Sequence, residues 1–222
     1  MSTIDELRAH LKGLRTLVKG VAGGLSELSA TDEPIGLFEE WLRDAEASGL
    51  LLPESAALAT ATPDGFPSVR MVLLKGVDPR GFRFFTNYES RKAGEIESNP
   101  HAALCFHWSV LERQVRVEGP VERLTHEDSE EYFRSRTRGS QIGAWASAQS
   151  RKLEDRADLE AKVRELEDRF TGGTVPLPDH WGGYLLRPAR VEFWQGRANR
   201  LHDRLAYTPA PGGGWAVTRL QP

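Results

Sequence analysis

From residue 56 onward the apolar residues stop recurring every three or four positions and alternate instead in short segments cut by turn signals. Ala56 to Thr62, Ser68 to Val77 and Gly81 to Thr86 are divided by Pro63-Asp64-Gly65 and by Asp78-Pro79-Arg80-Gly81, combinations that favour tight turns. His101 to Trp108 and Gln114 to Leu124 continue the pattern, with Val115 and Val117 alternating with Arg116 and Glu118. Gly119-Pro120 is expected to interrupt that strand. Further strands are expected at Gly183 to Leu186, Val191 to Gln195 and Trp215 to Leu220.

Helices surround these runs. Pro34 stands in the first turn of an amphipathic helix with Leu37, Phe38, Trp41, Leu42 and Ala45 on its buried face and its end near Gly49. A short helix is expected from Ser90 to Ser98, and others around 126 to 136, 139 to 147 and 155 to 170; in the last, Leu159, Val163, Leu166 and Phe170 mark the buried side. Strands in runs with helices grouped around them predict an α+β domain built on a closed or half-closed antiparallel barrel. At the amino terminus, Ile4, Leu7, Leu11, Leu14 and Val18 predict one more helix, with Thr3 and Glu6 as a capping pair and Gly20 as its stop. Residues 20 to 33, rich in Gly, Ser and Thr, read as a mobile connection. The expected division is therefore 1–33 as helix and lid segment and 34–222 as the main domain.

The chain has 222 residues, enough to bury roughly 70 to 75% of its unfolded surface without staples. Cys105 is the single cysteine and reads as a buried, inert thiol. With no internal disulfide and no signal-peptide pattern in Met-Ser-Thr-Ile-Asp-Glu, a cytoplasmic setting is expected. No apolar run approaches the roughly 18 residues of a membrane span. Lys plus Arg (29) against Asp plus Glu (32) leaves a net charge of -3, which argues against nucleic acid as the partner. The six histidines fall in no HxH, HExxH or Cys-His spacing, so no metal is expected. The absence of GxSxG, P-loop and GxGxxG patterns removes the usual warrant for hydrolases, P-loop enzymes and Rossmann oxidoreductases.

What stands out on this acidic chain is basic clusters beside hydroxyls and amides. Ser90-Arg91-Lys92 opens a short helix, where free N–H groups and the dipole favour an anion. Arg134, Arg136 and Arg138 fall within a few residues, in the run Arg136-Thr137-Arg138-Gly139-Ser140-Gln141, and Arg197, Arg200 and Arg204 surround His202. Such mixtures suit phosphate oxygens, and two phosphorylated small molecules would need two such sets.

Ordered motifs then carry a family likeness. Arg70-Met71-Val72-Leu73-Leu74-Lys75, Phe85-Thr86-Asn87-Tyr88-Glu89-Ser90-Arg91-Lys92, Glu112-Arg113-Gln114-Val115 and Gly139-Ser140-Gln141-Ile142-Gly143-Ala144-Trp145-Ala146-Ser147 closely resemble the pyridoxine (pyridoxamine) 5'-phosphate oxidase family. So do His180-Trp181-Gly182-Gly183-Tyr184, Glu192-Phe193-Trp194-Gln195-Gly196 and Arg200-Leu201-His202-Asp203-Arg204. The resemblance runs from about residue 35 to the C-terminus. It implies an FMN-binding split β-barrel flanked by helices, and a homodimer with flavin at the subunit interface. It also implies oxidation of pyridoxine or pyridoxamine 5'-phosphate to pyridoxal 5'-phosphate, with O2 reduced to H2O2.

Residue by residue, the resemblance implies flavin contacts from Arg70, Met71, Val72, Leu73, Leu74, Lys75, Phe85 and Thr86. Arg91 and Lys92 would meet the FMN phosphate, and Gln114, Gln149, Ser150, Trp194 and Arg204 would complete the cofactor set. The substrate phosphate would fall to Lys75, Tyr132, Arg136 and Ser140; the spacing of the last three lets one helical run aim them at a point. Arg200, Leu201 and His202 would border the substrate ring, with Arg200 and His202 as the catalytic pair. Two places depart from the family pattern. Arg15 is followed by Thr16-Leu17-Val18 where a tyrosine is usual, and Leu52 stands before Pro53 where an acidic residue is usual. The alternatives are a related flavin oxidase of phenazine type on the same scaffold and a non-catalytic flavin- or pyridoxal-phosphate-binding protein.

Overall fold

The computed structural model describes Gly24, Leu25 and Glu33 to Pro222. The expected amino-terminal helix, Arg15 and Leu17 lie outside these residues. Helix α1 (Pro34–Ala47) begins with proline at its first turn and buries Leu37, Phe38, Trp41 and Ala45, as its apolar spacing dictates. Strands β1 (Ser55–Ala61), β2 (Pro67–Leu73), β3 (Gly76–Asp78) and β4 (Gly81–Asn87) follow, then α2 (Arg91–Ser98) and the long pair β5 (His101–Trp108) and β6 (Arg113–Arg123). Three helices come next: α3 (His126–Ser135), α4 (Arg138–Ala146) and α5 (Arg156–Arg169). The chain closes with β7 (Trp181–Leu186), β8 (Arg190–Gln195), β9 (Asp203–Pro209) and β10 (Trp215–Arg219).

All strand pairs are antiparallel, in the order β10-β9-β8-β6-β5-β1-β2, with β7 also on β6 and β4 on β7. The Lys75 N–H donates to Arg83 O at 2.8 Å, tying the end of β2 to β4 and curling the sheet into a half-barrel. Phe38 enters it, packing edge-on against Phe82 and Phe106, each 4.9 Å away, beside buried Leu58, Leu104, Val115, Val117 and Phe193. A second cluster of Phe133, Ile142, Leu166, Val175 and Trp181 holds the three helices together. Among the described residues no helix is long and apolar enough to cross a membrane.

Contrary to the sequence expectation, β6 runs unbroken through Gly119-Pro120. One edge of β6 pairs with β8 over 113–118 and with β7 over 121–123, so 119–120 fall where the partner changes. The Val121 N–H is used by Pro100 O on the β5 side. Position 120 therefore points the other way, toward the exchange point, where a missing N–H costs no ladder bond. Gly119 lets the β7–β8 connection pass close by, because a Cβ there would collide with the Arg187 carbonyl. Strand β9 was not expected: Leu205, Ala206 and Tyr207 are buried in succession, so no alternation marks it. Its Asp203 accepts from the Leu25 N–H at 3.0 Å, while Arg219 donates to Leu25 O at 2.8 Å, anchoring the buried Leu25 on β9 and β10.

Gly119→Ala should destabilise the protein by about 1–3 kcal/mol through overpacking against backbone. Gly94→Ala, at a helical site whose Cβ would meet nothing within 4 Å, should stabilise it by about 0.4–1 kcal/mol. Urea unfolding of both variants checks the contrast.

Candidate active site

A cleft of ≈470 Å³ opens between the β2–β4 rim of the sheet and the α3–α4 helices. Of the residues singled out from sequence, Met71, Val72, Leu73, Lys75, Phe85, Thr86, Lys92, Tyr132, Arg136, Ser140 and Gln149 line it. An aromatic stack forms one wall, with Phe85 lying 4.0 Å from Tyr132 and 5.6 Å from Trp181 between ring centroids. Gly183 leaves room for the Phe85 ring, which a Cβ would meet at 2.7 Å.

Two cations face the cleft without an ion-pair partner among the described residues. Lys92, 9% exposed, donates only to neutral oxygens: Thr86 Oγ1 (3.0 Å), Ser90 Oγ (3.2 Å) and Gln149 Oε1 (2.7 Å). Burial, reinforced by the nearby Arg70 charge, lowers its pKa to about 8. Arg136 lies over the Trp181 ring at 4.6 Å, and its buried Nη1 has no hydrogen-bond partner. Burial lowers its pKa too, against the smaller pull of Tyr132. Buried cations of this kind are costly unless an anion joins them.

The single helical run expected through Tyr132, Arg136 and Ser140 is not formed. Arg136 caps α3 in extended conformation (φ −73°, ψ 152°) and a new helix begins at Arg138. The corner nonetheless brings all three to the cleft. Leu74 points into the core instead. Arg70 is held outside the lining by Glu95, and the exposed Arg91 side chain pairs with the same carboxylate. Ser150 is exposed with a left-handed φ of 70°, next to Gln149. Leu52, also left-handed at φ 54° and exposed, does not line the cleft. Sequence reasoning gave no role to Trp181, Asn87 or Glu95; Trp181 lay inside a quoted motif, but only the fold shows it beneath Arg136.

The remaining predicted residues form a second group. Gln114 is registered opposite Trp194, and Trp194 opposite Arg204, so the three make one row across β6, β8 and β9. His202 packs its ring 4.6 Å from Trp194, and its Nδ1 accepts from the Arg197 N–H at 3.1 Å. Arg204 is tied to buried Glu192 at 2.9 Å. Arg200 and Leu201 are exposed beside them. In the sheet order, β8 stands four strands from β2. The row thus does not adjoin the cleft of its own chain through neighbouring strands.

Curled antiparallel sheet and flanking helical lobe are those of the FMN-binding split barrels. A solved pyridoxamine 5'-phosphate oxidase-related, FMN binding protein from Nostoc punctiforme shares the fold at TM-score 0.67, with 18% identity, over 84% of this chain and 96% of its own. PhzG from Burkholderia lata, solved with tetrahydrophenazine-1-carboxylic acid, is similar at TM-score 0.82 and 34% identity over 86% of this chain and 94% of its own. Residues 42–170 match the family model described as pyridoxamine 5'-phosphate oxidase, and 181–222 match the pyridoxine 5'-phosphate oxidase C-terminal dimerisation region. Pyridoxine/pyridoxamine 5'-phosphate oxidases from Psychromonas ingrahamii (52% identity, all of both chains) and Rubrobacter xylanophilus (55%, 97% of this chain and 98% of the relative) match throughout. The chain belongs to the pyridoxamine 5'-phosphate oxidase family.

Lys92 gives the ligand-free protein a defined pH response. Its unfolded state holds the proton up to about pH 10.5 and the folded state only to about 8, so between these values folding sheds a proton and stability from this group rises with pH. Thermal melts of ligand-free wild type and Lys92→Met should therefore converge in favour of wild type as pH rises from 8 to 10.5; parallel curves would contradict the burial of an unpaired ammonium.

Proposed function

We propose that the cleft holds FMN and a phosphorylated B6 vitamer side by side, and that a second copy of the chain completes it. The protein is an FMN-dependent oxidoreductase that oxidises pyridoxine or pyridoxamine 5'-phosphate to pyridoxal 5'-phosphate; we assign O2 as electron acceptor and H2O2 as by-product. The observation that carries the site reading is the pair of buried cations, Lys92 and Arg136, neither of them ion-paired among the described residues. Two phosphate-bearing ligands fit these two positions, whereas one would leave a charge stranded.

Bound FMN supplies the two-electron redox chemistry. The protein's share is placement. Lys92 with Gln149 and Thr86 takes the flavin phosphate, and Arg91 adds a cation at the α2 N-terminus. Arg136, Tyr132, Ser140 and Lys75 take the vitamer phosphate, each charged contact being worth about 1.5–3 kcal/mol. Holding two rings at reacting distance removes up to about 7–11 kcal/mol from the barrier.

Arg200 and His202 reach the reaction from the partner subunit in this reading. The sheet face bearing the Gln114–Trp194–Arg204 row continues through the small residues Cys105 and Ala57 to exposed Val69 and Met71, 68% and 63% accessible. Met71 also lines the cleft. A two-fold partner covering the small and apolar part of this face would bring its own row toward the cleft. Asn199 and Arg200 both hold left-handed backbone (φ 58° and 61°), the kind of strain that surroundings maintain at functional loops. His202 can donate from Nε2, since Nδ1 is already an acceptor. A reducing, cytoplasmic location agrees with the lone Cys105.

Ala57→Arg should give a monomer that retains little flavin, read by sedimentation and absorbance; a flavin-loaded dimer would overturn the interface.

Aerobic turnover of pyridoxine 5'-phosphate by FMN-loaded protein, reading aldehyde and peroxide together, tests the activity. Arg136→Ala should raise KM about 10- to 100-fold, the loss of one charge-assisted contact, with FMN affinity nearly unchanged. Equal weakening of both ligands would merge the two anion positions. Absent turnover with tight binding of a tricyclic aromatic acid would favour the PhzG-like reading.

A further inference from the structure

Behind the Lys92 end of the cleft lies a carboxylate that catalysis does not use. Glu95 follows Arg91 by one turn of α2, with its side chain 6% exposed. Oε2 accepts from the Thr60 and Ser68 hydroxyls and from Arg70 Nη2 at 3.2 Å. Oε1 accepts from Arg91 Nε at 2.8 Å. Arg70 is fixed further by bonds to Leu58 O at 3.1 Å and to the same two hydroxyls. One carboxylate thus joins β1, β2 and α2 and grips two arginines that flank Lys92. Burial alone would raise its pKa, but the bonds from Ser68, Thr60, Arg91 and Arg70 bring it down to about 2. It is charged throughout the working range and serves as neither acid nor base.

A buried negative charge beside a phosphate position is unfavourable by Coulomb's law, so its value has to come through the cations it holds. Arg70 and Arg91 meet on this one carboxylate, and the Arg70 charge adds to burial, the larger cause, in depressing the pKa of Lys92. With Glu95 the cluster carries a net charge of +2, since three cations meet one carboxylate, which matches the dianion of a phosphate monoester. We propose that Glu95 is a positioning residue for the flavin phosphate, pinning Arg70 and Arg91 around Lys92 so that the cluster receives a dianion without rearranging. The inference rests on the reading that the Lys92 end takes that phosphate.

The test compares FMN with riboflavin, which lacks the phosphate, by fluorescence titration of full-length apoprotein, wild type and Glu95→Gln. Wild type should prefer FMN. Glu95→Gln should weaken FMN by about tenfold while leaving riboflavin within about twofold, a difference confined to the phosphate contacts. Loss of the negative charge by itself would tighten FMN, so unchanged or tighter FMN binding overturns the proposal. Equal weakening of both flavins with a lowered apoprotein melting temperature assigns Glu95 to packing alone and also overturns it. Equal affinity of wild type for the two flavins would remove the phosphate assignment itself. Should Glu95→Gln fail to fold, Glu95→Asp keeps the charge, withdraws it by one methylene, and is held to the same comparison.

Discussion

Backbone hydrogen bonding along one edge of β6 has to be shared between two strands, β8 for its first half and β7 for its second. That division shapes everything that follows. A strand paired to one neighbour along its whole length would continue a flat sheet; here the neighbours diverge at Gly119-Pro120. One branch curls through β7 and β4 toward β2 to form the half-barrel, and the other carries β8, β9 and β10 outward. The cleft lies on the rim of the first branch, and the Gln114–Trp194–Arg204 row on the second. Phe38 and its aromatic neighbours fill the curl, and the helical lobe uses Trp181, the first residue of β7, as a shared wall.

Charge is handled in two ways within this frame. Arg70 and Arg91 share the Glu95 carboxylate, and Arg116 and Arg204 share that of Glu192, so each is ion-paired within the chain. Among the described residues Lys92 and Arg136 have no carboxylate partner, and both stand in a cleft where Phe85, Tyr132, Trp181 and the β2 side chains Met71, Val72 and Leu73 alternate with neutral polar groups such as Thr86, Ser140 and Gln149. A low-dielectric wall strengthens attraction to an incoming phosphate as much as it penalises the lone cation. If phosphates meet these two cations as we propose, the ligand-free protein would hold part of the binding energy as the cost of two desolvated charges. This also explains why the chain can be acidic as a whole and still bind anions: the local balance at each position decides.

Much of the architecture could be read from the sequence because turn signals and alternation are local properties. The helix α1 face, the β5–β6 pair and the helical lobe all follow from periodicity. What escaped depends on neighbours. Pro120 reads as a strand breaker until the partner exchange shows that its missing N–H faces no ladder. Residues 205–207 are buried on both faces and so give no period. Tyr132, Arg136 and Ser140 have helical spacing, yet Thr137 starts a second helix and a corner brings them together instead. Residues lining the cleft were found largely through family motifs, whereas Glu95 belongs to no chemical pattern. Its meaning comes from Thr60, Ser68 and Arg70, 25 to 35 residues away in sequence, and only sheet register brings them together.

The division of site residues into a cleft group and a row on the far branch follows from the same split. Residues opposite one another in an antiparallel sheet share a face, so Met71, Ala57, Cys105, Arg116 and Glu192 form one continuous line on the outer surface of the sheet. The opposite face, with Leu58, Leu104, Val115 and Phe193, is the core. The β1–β5 part of this outer face carries the small residues Ala57 and Cys105 and is bordered by exposed Val69 and Met71, a patch poor at facing water and suited to close contact with another such patch. In the dimer we propose, a two-fold axis through it would relate cleft to row reciprocally, each copy contributing the charged pocket and receiving the imidazole and guanidinium side chains. On that proposal the site would be assembled only in the dimer, and oligomerisation would be coupled directly to the placement of His202 and Arg200.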